Sequence, residues 1–327
     1  MAHDTSKIEL LLCGGTGDLG GRIATRLAAQ SIPFRALVRA TSDTSRLQSP
    51  AAELSVGNLT DRASLDRAMR GIRTVVTTAN SITATLAGDR SGSIAAVDAR
   101  GNENLVRAAA AAGVERFVFV SAAGLTDLMV GLSPFLAAKR QTERTLRASG
   151  LRAVLVQPGP FQETWTSPAV GIWPDKRRAV VFGRGRSPWS DVAVDDVAEA
   201  CVRLATMADP PEVIQLGGPE ELTRHQVLDA FERAYGGRFR RFSVPRVVLR
   251  LGARALRRWR PELASLFGMA LVRDLEGERV SPEPLRRLGI EPRPTSERIT
   301  QMAQAALGAA SHAAGCQAPA RGQSISP

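Results

Sequence analysis

Residues 8–20 read IELLLCGGTGDLG. The apolar run has the length of one buried strand, and it ends in glycine rather than in a polar turn. The next stretch, LGGRIATRLAAQ (19–30), has helical spacing. Gly15-x-Gly17-x-x-Gly20 therefore sits between a strand and a helix, with Gly14 offering a G-x-x-G-x-x-G register. Glycine there permits a tight turn, lets a pyrophosphate approach the backbone, and lets helix and strand pack closely. The helix start adds free N–H groups and the positive end of a dipole. Gly14, Gly15, Thr16, Gly17, Asp18, Leu19 and Gly20 are thus candidate dinucleotide contacts.

The alternation continues outward. FRALVR (34–39), AELSVG (52–57), TVVTTA (74–79), RFVFVSAAG (116–124) and AVLVQPG (153–159) read as strands. IAAVDARGNENLVRAAAAAG (94–113), capped at Gly113, and 134–149 read as helices. Strands apolar on both parities and separated by helices imply a parallel sheet covered on both faces. The expected class is α/β, a doubly wound (Rossmann) sheet with a smaller, mainly helical substrate lobe. Residues 1–160 would form the nucleotide domain, completed by about 191–218. Residues 161–190 and 219–308 would form the lobe, and 309–327 an unstructured tail.

Arg39 closes the second strand, where an NAD site usually carries an acid for the ribose hydroxyls. A guanidinium binds a 2′-phosphate bidentately, so NADP(H) is expected, with NAD(H) as the alternative. Asn58 and Leu59, in GNLTD (57–61), would flank the adenine. Ala79 and Asn80, in TTANS (77–81), would lie near the nicotinamide ribose; for both segments ordinary turn chemistry is the other reading.

GGTGDLGG (14–21), LVR (37–39), GNLTD (57–61), DARGNENLVRAAAAAGVERFVFVSAAG (98–124), SGLRAVLVQPGPF (149–161) and DVAVDDVAEA (191–200) resemble the atypical and extended short-chain dehydrogenase/reductases. The resemblance is to the NmrA-like branch, which includes isoflavone-reductase-type enzymes, and it covers about residues 7–235. It implies cofactor contacts from Pro158 and Phe161. That family commonly uses Ser, Tyr and Lys, with Tyr and Lys four apart on one helix face. Here the pair is Phe135 and Lys139, and the chain's one tyrosine is Tyr235. Lys139 is one of three lysines among 43 basic residues. A buried amine can shift toward neutrality and exchange a proton, which a guanidinium does not. Lys139 is therefore the expected ribose anchor and proton donor, with Ser121 assisting; an exposed helix lysine and a strand-end cap are the alternatives.

These residues imply an NADPH-dependent reductase acting on an apolar carbonyl, quinone or conjugated alkene. A non-catalytic NADP(H)-binding redox sensor is the alternative, and a sugar-nucleotide epimerase or dehydratase a third. Trp165, Trp173 and Trp189, with Phe161 and Phe182, would line a pocket for a flat aromatic substrate, or else pack the lobe core. Asp127 and Glu163 are the remaining nearby acids. The formal charge of +11 invites a polyanion. However, the arginine bias reads as compositional, and aromatics at 5% leave few stacking platforms, so nucleic acid is not the expected partner.

No segment is apolar enough to span a bilayer, and the amino terminus is too polar for a signal peptide, so a cytoplasmic monomer or homodimer is expected. Cys13, Cys201 and Cys316 do not suggest a disulfide framework. His3, His225 and His312 are scattered, and no metal is expected. PRVVLRLGARALRRWRPE (245–262) is a basic amphipathic helix. It could meet an anionic membrane or an acidic partner, or be solvated while its apolar side caps the lobe.

Overall fold

The alternating apolar residues of the first strand face two different cores. In a computed structural model that describes residues 7–82 and 92–315, with side chains through 308, β1 (Leu10–Cys13) lies inside a seven-stranded sheet. Its companions are β2 (Phe34–Val38), β3 (Ala52–Val56), β4 (Thr74–Thr77), β5 (Arg116–Val120), β6 (Arg152–Pro158) and β9 (Val213–Leu216). Their order is β3-β2-β1-β4-β5-β6-β9, and every neighbouring pair is parallel.

Leu10 and Leu12 join Val76, Val118 and Val154 beneath α1 (Asp18–Ala29) and α7 (Val194–Thr206). Leu11 and Cys13 join Val75, Phe117 and Phe119 beneath α2 (Arg62–Ala68), α3 (Asn102–Ala111) and α5 (Pro134–Arg147). Side chains two residues apart thus serve one layer, as the pleat requires. The strand order reverses between β1 and β4, and a crevice opens there at the carboxyl ends of the strands.

The alanine-rich helix differs from its expected form. Residues Ile94–Gly101 form a π-helix before α3 begins, and Gly113 takes the left-handed cap (φ +72°). A widened turn of this kind is common beside functional sites.

The lobe contains α4 (Asp127–Leu132), the short α6 (Gln162–Trp165), α8 (Arg224–Tyr235), α9 (Arg246–Ala255), α10 (Pro261–Leu275), α11 (Glu283–Arg287) and α12 (Thr295–Gly315). It is not only helical: β7 (Ile172–Trp173), β8 (Arg178–Phe182) and β10 (Arg240–Val244) form a second sheet in the order β10-β8-β7. Arg224 ties this region together, donating to the backbone oxygens of Trp165 (2.9 Å), Val170 (2.9 Å) and Val180 (3.0 Å). The last helix runs on through Gly315, where a tail without structure was expected from about 309. The alanines of AALGAASHAAG supply helix propensity that the small-residue composition hid. Residues 316–327, with Cys316, and His3 lie outside the described residues.

Candidate active site

A single cavity of about 920 Å³ runs along the crevice from the glycine loop to the lobe. Gly14 has φ +86°, and a Cβ there would lie 2.7 Å from Thr78 Oγ1 and 2.8 Å from Ala79 N. A Cβ on Gly20 would lie 2.0 Å from the Gly14 oxygen. These two glycines hold loop, strand and helix together, whereas a Cβ on Gly17 would meet only the Gly14 oxygen, at 3.4 Å. Gly17 is the amino-terminal cap of α1 and has no side-chain hydrogen bond, so the helix end opens toward the cavity. That cradle fits a pyrophosphate. Gly15 is the exception among the expected contacts: it does not line the cavity, and a Cβ there would meet Leu12 and Leu47 of the core.

The other expected cofactor residues are brought to the same wall. Arg39 lines it with Thr41, Ser42 and Asp43. Asp43, which sequence reasoning passed over, accepts the Ser45 N–H at 2.9 Å, and this bond holds its carboxyl below the usual range. The acid is thus occupied in shaping its turn. Asn58 and Leu59 follow β3, and Asn104 Nδ2 donates to the Leu59 oxygen (3.2 Å). Ala79 and Asn80 follow β4, and Pro158 and Phe161 follow β6.

Lys139 is 4% exposed. Its Nζ donates to the Val120 oxygen at 2.6 Å and lies 4.8 Å from the centre of the Phe119 ring and 5.5 Å from that of Phe135. Burial pushes its pKa down to about 8, against the opposing attraction of Asp98 and Glu143. An ammonium has three donors, and one is used here. Asp98 comes from the π-turn and accepts from Ser81 N (3.1 Å) and Oγ (2.6 Å). Burial raises its pKa, with the Lys139 charge pulling the other way. Ser121 is buried against the cavity, and its Oγ has no hydrogen-bond partner among the described residues. An unpaired buried hydroxyl costs stability, so it points to a group that binds there.

Beyond Lys139 the wall becomes apolar: Phe135, Met129, Trp165, Trp189, Leu266 and Met269. Trp173 and Phe182, expected here, are absent from this wall. The Trp173 ring folds back toward the Gly171 turn, and Phe182 lies under Arg224, 5.8 Å from ring centre to guanidinium. Asp127 is also outside, paired with Arg140 at 2.7 Å. Glu163 lines the cavity, but its Oε2 accepts the Val194 N–H (3.0 Å) at the start of α7. His225 bonds the Arg184 oxygen on the lobe, away from the cavity. Among the described residues no cluster of His, Cys, Asp and Glu could hold a metal.

Two polar residues of this end were not legible in the sequence. Arg273, on α10, forks onto Asp191 (2.7 and 2.8 Å) and stacks over Trp165 (4.5 Å) and Trp189 (4.9 Å). Trp189 Nε1 donates to the Arg273 oxygen at 2.5 Å, so the aromatic wall is pinned from behind. Glu278 lines the cavity and packs on Gly124, where a Cβ would lie 2.0 Å from Oε1. Gly124 has φ +57°, so both space and backbone require glycine. Burial raises Glu278 to about 7, against the opposing charge of Arg273.

Residues 14–208 match the family model described as NAD(P)H-binding. An isoflavone reductase homolog of Zea mays is 31% identical over 265 residues, covering 75% of this chain and 79% of its own. An NAD(P)H azoreductase of Xenophilus azovorans is 27% identical over 228 residues, 69% of this chain and 74% of the relative. Among solved structures, an NADPH-dependent quinone oxidoreductase from Escherichia coli, complexed with NADPH, superposes with a TM-score of 0.67 at 20% identity, covering 90% of this chain and 99% of that one. AtPrR2 with NADP+ and (+)pinoresinol superposes with a TM-score of 0.68 at 19% identity over 90% and 98% of the two chains. Glycine cradle, strand order and family match agree: the chain belongs to the NAD(P)H-binding family, as an NmrA-like, atypical short-chain dehydrogenase/reductase.

Proposed function

We propose that the protein is an NADPH-dependent reductase of apolar, aromatic or polycyclic carbonyls, quinones or conjugated alkenes. The observation that carries this reading is that one cavity joins the glycine cradle to an aromatic wall, with Lys139 and Glu278 both in its lining. Relatives named as azoreductase and isoflavone reductase homolog support the reaction class. A structural neighbour holding pinoresinol is consistent with an aromatic ligand.

Arg39 would take the 2′-phosphate, and the two unused donors of Lys139 would hold the nicotinamide ribose. Bound NADPH supplies a hydride to the acceptor carbon. The acceptor oxygen then needs one proton to complete the two-electron reduction. Phe135, in the family's tyrosine position, has none to give. Lys139, with its pKa at about 8, is mostly protonated at neutral pH and can deliver one directly or through Ser121. Glu278, at about 7, is a second acid in the cavity wall, packed on Gly124. Trp165, Trp189 and Met269 would exclude water, and the two indoles would offer flat surfaces to a ring system.

The test is anaerobic NADPH oxidation with a panel of quinones, azo dyes and aromatic ketones, comparing wild type with Lys139→Ala and Lys139→Arg. Turnover that falls at least about a hundredfold in both variants is expected for a lost proton donor. A second reading, a redox sensor that binds NADP(H) without turning it over, is favoured by Phe135. Tight NADPH binding with no acceptor reduced would establish it instead.

A further inference from the structure

Helix α9 and the turn after it break the usual segregation of apolar and charged side chains. Leu249 and Ala253 are buried against α10, and Gly252 lets the helices touch: a Cβ there would lie 2.7 Å from Phe267 Cδ2. On the outer side, Val247 is 67% exposed, Val248 49%, Leu251 60% and Trp259 80%. Residues 246–260 also hold six arginines and no acid. Arg246 is paired with Asp274, and Arg257 donates to the Gly131 oxygen (2.8 Å). Arg250, Arg254, Arg258 and Arg260 are exposed and make no ion pair among the described residues. On the helical wheel of α9 Val247, Leu251 and Arg254 fall within one narrow sector, with Arg250 on one flank and Val248 on the other, and Arg258, Trp259 and Arg260 follow in the exposed turn after Ala255.

A second copy of the chain fits this face poorly. Two-fold docking would bring unpaired arginines against each other with no carboxylate between them. Nucleic acid would leave the aliphatic side chains without a role, since a single tryptophan makes no stacking platform. An anionic lipid surface satisfies both halves: aliphatic side chains enter the acyl boundary, guanidinium groups meet phosphate, and tryptophan sits at the interface. We propose that α9 and the turn through Arg260 dock the protein on an anionic bilayer surface. Val247, Val248, Leu251 and Trp259 insert, and Arg250, Arg254, Arg258 and Arg260 contact headgroups. Helix α10 behind this face supplies Leu266, Met269 and Arg273 to the cavity. Docking would therefore bring the apolar end of the cavity near a bilayer that dissolves apolar acceptors. That consequence rests on the reductase reading; the docking itself does not.

The experiment is co-sedimentation of the full chain with phosphatidylcholine vesicles, with and without about one-third phosphatidylglycerol, together with Trp259 emission and its quenching by brominated lipid. Binding to the anionic vesicles alone is expected, weakening with salt, with a blue shift that Trp259→Phe removes. At about fivefold per arginine charge removed, R250E/R254E/R258E should weaken partitioning at least about a hundredfold, since each substitution also adds a negative charge. NADPH affinity should not change in that variant, which shows that it folds. Leu251→Asp should weaken binding with all the arginines intact. Anionic-vesicle binding that both variants retain, or no quenching of Trp259, overturns the proposal. So does a concentration-dependent dimer that Leu251→Asp dissolves in the absence of lipid, or binding to DNA in preference to vesicles.

Discussion

Lys139→Met keeps the length of the side chain and removes the buried charge, so it separates stability from function. Burial brings the amine from 10.5 down to about 8. At ~1.4 kcal/mol per unit, holding it protonated costs the native state roughly 3 kcal/mol. The variant recovers that but loses the bond to the Val120 oxygen, worth about 1 kcal/mol. The expected net gain in the coenzyme-free protein at pH 7 is about 2 kcal/mol. Asp98 loses its counter-charge in this variant, and Lys139→Met/Asp98→Asn removes both charges. The pH dependence has a definite sign. Between pH 8 and 10.5 the native state binds fewer protons than the unfolded chain, so wild-type stability rises relative to the variant. Urea unfolding at pH 7 and near pH 10 reads both effects. The same variant should bind NADPH more weakly, as expected where a strained group serves ligand rather than fold. A variant that is less stable than wild type by the same margin at both pH values would refute the reasoning.

Arg39→Ala should weaken NADPH binding at least about tenfold while leaving NADH nearly unchanged, as read by coenzyme fluorescence titration; equal losses would remove the 2′-phosphate assignment. Glu278→Gln should abolish a pH-dependent difference in thermal stability. The native carboxyl stays protonated from about 4.5 up to about 7, so wild type should lose stability relative to the variant across that range, and the variant's reduction rate should lack an ionisation near 7 that wild type shows. Gly20→Ala would press a methyl group against the Gly14 oxygen, and isothermal titration should find coenzyme affinity greatly reduced. Arg224→Met strands three carbonyls, two of them buried and one partly so, and should cost about 3 kcal/mol in denaturant unfolding, with the lobe affected most.

What could be read without coordinates was local or periodic. Short apolar runs alternate with stretches of helical period, about 3.6, so the sheet and the switch-point crevice follow from the chain itself. The glycine spacing marks the loop at 14–20, and the scarcity of lysine sets Lys139 apart. Other features needed three dimensions. Arg273 and Glu278 reach the cavity from well over a hundred residues beyond Lys139, and no spacing rule joins them to it. Trp173 and Trp189 look equivalent in the sequence, yet the turn at Gly171 sends one ring away while the Arg273 carbonyl fixes the other. The π-turn at 94–101 was invisible because the same alanines suit an α-helix. The exposed apolar face of α9 could not be foreseen, since periodicity marks a helix as two-sided without saying which side finds a partner.

With three lysines in the chain, the account can be tested at a single atom. Lysine labelled with carbon-13 at Cε gives three resonances in an NMR pH titration, and Lys139→Met identifies the one that matters. One resonance should titrate with a midpoint near 8, vanish in the variant, and move when NADP+ is added. A Lys139 resonance that keeps the ordinary lysine midpoint of 10.5, or one that does not respond to the coenzyme, would contradict a buried amine facing the coenzyme.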